Sequence, residues 1–372
     1  MGGLAMRIGV LTSSRADFGI YLPLLKKLQA DHDIDLKIIA FGTHCSNAHG
    51  KTVQEINEEG FKEIDTISSL ITDDTEEAIA TAYGLTVIKF ADYWSKNEFD
   101  IVFCLGDRFE MSAAVQAGIP FGVTFAHLHG GEKTLGAIDN TYRHQITIAS
   151  NYHFTSTQQY ANRVKELIES EENVYNVGSL SLDGVKDIQL VEEADLRERF
   201  EIPEGDFILS TFHPETVGVE NNEEYANEMV KALKQLAKQY IIVVTMPNAD
   251  TLGSIYRERL KDLERSLSDK VVTVESFGKV NYFSALKYAS LVLGNSSSGI
   301  IEAASFDKYV VNVGDRQKGR AQSNNVINCA FKANEIVKGV EKADELGTYA
   351  GDNIYYQEDV ADRIIEKMKS FL

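Results

Sequence analysis

Residues 101–154 read IVFCLGDRFE MSAAVQAGIP FGVTFAHLHG GEKTLGAIDN TYRHQITIAS NYHF. Ile101–Leu105, Val123–Ala126 and Tyr152–Phe154 are short strand-like runs, and Met111–Ala117 has a helical pattern. Strands separated by helix-length segments predict right-handed βαβ crossovers and a parallel sheet. The ionisable residues follow the apolar runs: Asp107, Arg108, Glu110, His127, His129, Glu132, Asp139, Arg143 and His144. Three of the chain's eight histidines fall within 18 positions. Open α/β sheets build their sites beyond the carboxyl ends of their strands. Solvated loop charges and helix caps are the bland alternative, but this crowding favours chemistry.

Outward from this stretch the alternation continues. Ile8–Leu11, Leu36–Ala40 and Val174–Val177 read as further strands, with helices over Tyr21–Ala30, Glu76–Trp94 and Gln158–Glu169. In the first of these helices, Leu24, Leu25 and Leu28 form an apolar stripe beside Lys26, Lys27 and Gln29. The pattern then restarts. Phe207–Thr211, Ile241–Thr245, Val271–Val274, Leu291–Leu293 and Val310–Val313 read as strands. The helices between them are expected over Asn222–Gln239, Leu252–Ser268, Tyr282–Ala289 and Gly299–Phe306.

The segment from Ser179 to Asp206 is polar and has no strand-like run, which places a hinge near Leu180–Gly184. The expected fold class is α/β, with two doubly wound Rossmann-like domains facing across a cleft. The first would span 1–182 and the second 183–357, with a helix in 358–372 crossing back onto the first.

Composition narrows the functional classes. A length of 372 residues fits two domains of ordinary size. With 44% hydrophobic and 25% charged residues the chain is globular, and a net charge of −19 repels nucleic acid and anionic membranes. An anionic ligand must then be held by local cations and backbone N–H groups. Three scattered cysteines, Cys45, Cys104 and Cys329, show neither a disulfide framework nor zinc spacing. MGGLAM leads directly into RIGVLTSS, without a secretory signal, so a cytoplasmic location is expected.

Four further motifs sit at strand ends. In LTSSRADFG, Ser13, Ser14 and Arg15 either hold a phosphate or cap the first helix. GNSSSGIIEAASF joins a strand to a helix, with Ser296 and Ser297 at the helix start and Glu302 one turn in, suiting a diphosphate and a ribose. It lacks the GK[ST] of an ATPase loop. GDRQKGR groups Arg316, Lys318 and Arg320, either for bidentate phosphate contacts or as a surface ion-pair network. FHPET sets His213 just past a strand. His127 and His129, two apart on a strand, share a face and with Glu132 could bind a metal, although a third well-placed ligand is not evident.

SSRADFG, GDRFE, HLHGGEKT, DNTYRH, HPET, NADTLG, GNSSSG and NVGDRQKGR occur in order from Ser13 to Arg320. With this set the chain resembles the UDP-N-acetylglucosamine 2-epimerases, in particular the hydrolysing bacterial branch of sialic-acid-type sugar synthesis. The resemblance implies a glycosyltransferase-B-like architecture with UDP in the cleft. It implies UDP contacts from Arg15, Arg108, His213, Asn248, Ser296, Ser297, Glu302 and Arg316 or Arg320. It implies catalysis by Asp107, His129, Glu132, Asp139 and His213. His129 stands where the wider family commonly has a carboxylate.

The implied reaction converts UDP-N-acetylglucosamine and water to UDP and N-acetylmannosamine through a 2-acetamidoglycal, with no cofactor or metal. A 2,4-diacetamido-2,4,6-trideoxy substrate, or glycosyl transfer on the same architecture, are the alternatives. A homodimer or dimer of dimers is implied as well.

Overall fold

The computed structural model describes residues 5–46, 52–71, 75–133, 139–215, 219–247 and 253–371. The chain divides into two compact units. The first comprises Met1–Glu132, Ile138–Gly184 and Tyr355–Leu372, and the second Lys133–Ala137 and Val185–Ile354.

In the first unit the strands are β1 (Met6–Thr12), β2 (Ile34–Phe41), β3 (Ile64–Ile67), β4 (Ile101–Leu105), β5 (Phe125–Leu128), β6 (Tyr152–Thr155) and β7 (Val174–Asn176). They form one sheet in the order β3-β2-β1-β4-β5-β6-β7. Every pairing is parallel. The helices are α1 (Arg15–Ala30), α2 (Val53–Glu58), α3 (Glu76–Trp94), α4 (Phe109–Gly118), α5 (Asp139–Ala149) and α6 (Gln158–Ile168). Two apolar clusters bury the sheet. One gathers Val10, Leu24, Leu28, Phe103 and Phe154; the other holds Leu11, Phe90, Trp94, Val102 and Phe125. A sheet covered on both faces explains why β4 is apolar at every position.

The second unit adds α7 (Glu193–Phe200), β8 (Phe207–Thr211), α8 (Asn222–Leu236), β9 (Ile241–Thr245), α9 (Gly253–Ser266), β10 (Val271–Val274) and α10 (Gly278–Tyr288). It continues through β11 (Leu291–Gly294), α11 (Ser297–Glu302), β12 (Val310–Val313), β13 (Val326–Cys329) and α12 (Ala333–Leu346). Its sheet is also all parallel, in the order β10-β9-β8-β11-β12-β13. The last helix, α13 (Val360–Lys369), returns to the first unit. There Val360, Ile364 and Met368 enter the core, Lys27 pairs with Asp362, and Phe371 stacks on Tyr152 at 3.9 Å.

The strand orders decide where function can sit. Each sheet reverses direction next to its first strand, between β1 and β4 in one unit and between β8 and β11 in the other. The loops leaving those strands diverge to opposite faces and leave a crevice. LTSSRADFG and GDRFE leave β1 and β4, while HPET and GNSSSG leave β8 and β11.

Three differences from the sequence reading have local causes. β5 starts two residues later than expected, because Ile119–Phe121 form a single turn closed by Gly122 at φ +67°. The β-branched Val123 is drawn into that turn through a backbone bond to Gly118. α1 begins at Arg15 rather than Tyr21, since the Ser14 side chain accepts from the Asp17 N–H and starts the helix earlier. The polar segment from Ser179 to Asp206, for which no helix was expected, contains α7 beyond Gly184, and this helix keeps only Leu196 buried. Among the described residues no helix is long and apolar enough to cross a membrane.

Gly294, which closes β11, is the most tightly enclosed glycine among the described residues. Its φ is +137°, and a Cβ there would stand 1.9 Å from the Thr211 carbonyl oxygen. Gly294→Ala is expected to destabilise the second unit by about 3 kcal/mol, through backbone strain and the clash together. A lower urea midpoint at unchanged slope would show this. An unchanged midpoint would mean that β8 and β11 are not so closely apposed.

Candidate active site

Asp107 lies in the turn after β4. Gly106, at φ +77°, makes that turn possible, and its amide donates to the Leu128 carbonyl at 3.1 Å. His127, inside β5, holds the same turn: its Nε2 meets the Gly106 carbonyl at 2.9 Å and its Nδ1 meets Thr147 Oγ1 at 3.1 Å. Both ring nitrogens are therefore occupied by protein. His129 has left the strand and adopts a left-handed φ of +63°, so the two histidines do not share a strand face. The metal alternative loses its geometric basis. Among the described residues no cluster of three metal-ligating side chains occurs.

His129, Glu132, Asp107 and Arg143 form one network. His129 Nδ1 is 2.8 Å from Glu132 Oε1, and Ser156 Oγ donates to the same oxygen at 3.0 Å. A carboxylate accepts only, so the hydrogen sits on Nδ1. His129 Nε2 is buried and meets no hydrogen-bond partner among the described residues. Arg143, buried on α5, donates to the His129 carbonyl at 2.7 Å, lies 3.9 Å from Glu132 and bonds Asp107. A non-glycine residue in the left-handed region, held by a buried guanidinium, is a position under strain.

Asp139 opens α5 one turn before Arg143. Its side chain is exposed, yet the groups crowded around it act by desolvation, and then through Asp107, to raise its pKa. Arg108 donates to Glu110 Oε1 at 2.9 Å, and Glu110 is buried in the first turn of α4. Arg15, by contrast, is largely exposed and pairs with Glu55 at 3.0 Å. The LTSSRADFG motif acts as a cap here: the Asp17 carboxylate also takes the Ser13 amide at 3.0 Å and its hydroxyl at 2.7 Å. His144, beside Arg143, is half-buried.

In the second unit Asn295 ties two loops together. Its side chain accepts from the His213 amide at 2.7 Å and donates to the His213 carbonyl at 2.8 Å. Its own carbonyl accepts from Arg316 Nη1 at 3.1 Å and Gln317 Nε2 at 2.9 Å. Gln317 in turn takes Arg320 Nε at 2.9 Å. Burial, with help from Arg316, lowers the His213 pKa to about 4, so its imidazole is neutral at neutral pH.

Glu215 of HPET accepts the backbone amides of Asp315 and Arg316, each at 3.2 Å, and a Cβ at Gly314 would clash with it at 2.5 Å. Ser296 caps α11, Ser297 begins it, and Ser298 bonds Glu302 at 2.6 Å. Within the basic motif, Arg316 and Arg320 belong to this loop network. Lys318 makes an exposed pair with Asp315 at 3.5 Å. Asn248 lies outside the described residues.

Sequence reasoning gave no role to Arg143, Ser156, Asn295 or Glu215. Glu215, Arg143 and Asn295 stood inside quoted motifs, whereas Ser156 did not, and all four act through contacts that spacing cannot reveal.

The family model of UDP-N-acetylglucosamine 2-epimerase matches residues 26–369. A GDP/UDP-N,N'-diacetylbacillosamine 2-epimerase (hydrolyzing) from Campylobacter jejuni is 34% identical over 90% of this chain and 87% of its own. A UDP-N,N'-diacetylbacillosamine 2-epimerase (hydrolyzing) from Legionella pneumophila is 31% identical over 98% of this chain and 96% of its own. The fold is similar to that of a Neisseria meningitidis UDP-GlcNAc 2-epimerase solved bound to UDP-GlcNAc. That match has a TM-score of 0.80 at 16% identity, over 98% of this chain and 100% of the other. The chain belongs to the UDP-N-acetylglucosamine 2-epimerase family. It is an enzyme with two doubly wound domains of the glycosyltransferase-B-like class.

The β5–β6 pair gives a pH test of the buried site framework. His127 and His153 face each other across these strands, and burial lowers their pKa values to about 3 and about 4. The folded protein thus holds both neutral, and the unfolded chain takes up protons first. Their stabilisation is complete above pH ~6.5 and is lost as pH falls towards 4 and then 3, by about 1.4 kcal/mol per pH unit per histidine. Chemical denaturation between pH 7 and 4.5 should show that slope, with a shallower one in His153→Gln. Identical slopes would show that His153 takes up its proton without penalty.

Proposed function

We propose that the protein is a hydrolysing 2-epimerase, releasing UDP and a free 2-epimerised amino sugar from a UDP-linked 2-acetamido sugar. The observation that carries this reading is the His129–Glu132–Asp107–Arg143 network: a buried imidazole with Nδ1 fixed and Nε2 open, beside an arginine-anchored carboxylate. Orientation of a histidine by a carboxylate through one nitrogen, leaving the other for proton transfer, is a recurring device of acid–base catalysis.

The reaction needs such a cluster because the proton on C2 has no neighbouring carbonyl. Departure of UDP first builds positive charge at C1, and that charge makes the C2 proton acidic. Asp107 stabilises the developing charge, and His129 Nε2 takes the C2 proton, leaving a 2-acetamidoglycal. Asp139, with its raised pKa, is suited to return a proton to the other face of C2 while water adds at C1. The leaving diphosphate is assigned to the loops that Asn295 and Glu215 hold, with Ser296, Ser297, Arg316 and neutral His213 as its donors, and Arg320 beside them. Glu302 is assigned to the ribose. Arg15, Arg108 and Asn248 remain assigned to UDP. No step calls for a redox cofactor or a metal.

UDP-N-acetylglucosamine is one candidate substrate of this reading. The 2,4-diacetamido-2,4,6-trideoxy sugar is the other, favoured by the names of the two relatives at 34% and 31% identity. Incubation with each UDP-sugar, followed by NMR, is expected to yield free UDP and a mannosamine-type sugar. Accumulation of a UDP-linked 2-epimer would place the enzyme in the non-hydrolysing class, and transfer to an added acceptor would support the glycosyltransferase alternative.

Two substitutions test the assigned roles. Asp107→Asn should cut kcat by about 10²–10⁴ while UDP still binds. Near-normal turnover would remove Asp107 from the chemistry. Arg316→Ala should weaken UDP binding by roughly 1.5–3 kcal/mol, the worth of a charged hydrogen bond. Unchanged affinity in calorimetry would leave Arg316 a purely structural tie between loops.

A further inference from the structure

Glu110 has more hydrogen-bonding capacity than its surroundings use. The side chain is 1% exposed; Oε1 takes Arg108 at 2.9 Å, and Oε2 meets no partner among the described residues. A buried carboxylate oxygen without a donor is costly, and one oxygen would suffice to hold Arg108. Something that carries a hydrogen belongs there.

A second observation lies alongside. Phe109, Tyr142 and Tyr83 form a row of rings, with centroids 6.4 Å apart for Phe109–Tyr142 and 5.9 Å for the stacked Tyr83–Tyr142 pair. Tyr83 is pinned through its hydroxyl, 3.2 Å from Ser112 Oγ, which donates to Gln145 at 2.8 Å. The three rings are only half-buried and belong to neither apolar cluster of this unit. Helical spacing sets Tyr142 on the same face of α5 as Asp139, three residues earlier. Burial chiefly, then Tyr83, Asp139 and Glu110, raises the Tyr142 pKa.

We infer that Glu110 and the Phe109–Tyr142–Tyr83 row form the subsite for the far edge of the sugar ring, at C4 and C6. The inference rests on the proposed 2-epimerase reading. Glu110 Oε2 would accept an N–H or O–H from the C4 substituent, and the rings would cover an apolar group next to it. A 4-acetamido-6-deoxy sugar offers both: an amide N–H at C4, with methyl groups on the acyl arm and at C6. A 6-hydroxyl offers the rings nothing comparable. The subsite therefore makes the trideoxy UDP-sugar the better substrate.

The test compares kcat/KM for UDP-2,4-diacetamido-2,4,6-trideoxyglucose and UDP-N-acetylglucosamine in wild type, Tyr142→Ala and Tyr83→Ala. Wild type should prefer the trideoxy sugar. The preference should fall about tenfold or more in Tyr142→Ala, the scale of one apolar group lost from a pocket. Tyr83→Ala removes the outer ring and should shift the ratio the same way, so the outcome does not hang on one variant folding. Glu110→Gln should raise KM for the trideoxy sugar more than it lowers kcat.

A wild-type preference for UDP-N-acetylglucosamine, or equal losses on both substrates in folded variants, would overturn the subsite and leave the 2-epimerase reading standing. Turnover of neither sugar by wild type would overturn that reading and the subsite with it.

Discussion

A single buried guanidinium organises the first unit's site. Arg143 reaches the carboxylate after β4, the carbonyl at the end of β5 and the neighbourhood of Glu132. Burying a charge of this kind is unfavourable unless partners surround it, and here the partners are groups that the proposed reaction uses. Loss of Arg143 would free three segments at once and leave Asp107 without its cation. The strained backbone at His129 is tolerated because that same side chain holds its carbonyl. Arg suits the task better than Lys because its fixed fork serves two acceptors in different directions.

The second unit uses an amide and a carboxyl side chain for the same purpose. Asn295 clamps the backbone of His213, and Glu215 gathers the two amides that begin the basic loop. Asn222 secures Glu215 in turn, accepting its amide at 2.8 Å and donating to its carbonyl at 2.9 Å. The cations of GDRQKGR are thus placed by backbone contacts. In a chain of net charge −19, such placement is needed to present positive charge locally to an anion.

The doubly wound architecture was legible because buried parallel strands leave β-branched runs between amphipathic helices. Ile101–Leu105, Phe207–Thr211, Ile241–Thr245, Val271–Val274 and Val310–Val313 have the bounds expected from sequence. β3 and β13 escaped: each is a four-residue edge strand, too short to stand out from a loop. α5 escaped for a different reason. DNTYRHQITIA carries β-branched and polar residues of weak helix propensity, and its buried face includes Arg143 and Thr147 as well as Ile146. The site's members were visible as a cluster of types, whereas its logic was not. Which nitrogen of His129 is engaged, or which carboxylate Arg143 holds, depends on backbone turns at Gly106 and His129 that composition does not report.

The most direct test of the chemistry is isotopic. Turnover in D₂O should place deuterium at C2 of the released sugar, because the C2 proton is removed and a solvent-derived one returns to the other face. In H₂¹⁸O the early product should carry the label at C1, with none in the UDP, since the bond broken is C1–O. Label in the UDP would mean attack at phosphorus. Protium retained at C2 in D₂O, together with full retention of label when a 2-deuterated substrate turns over in H₂O, would contradict removal of that proton by one group and return of a solvent-derived one by another.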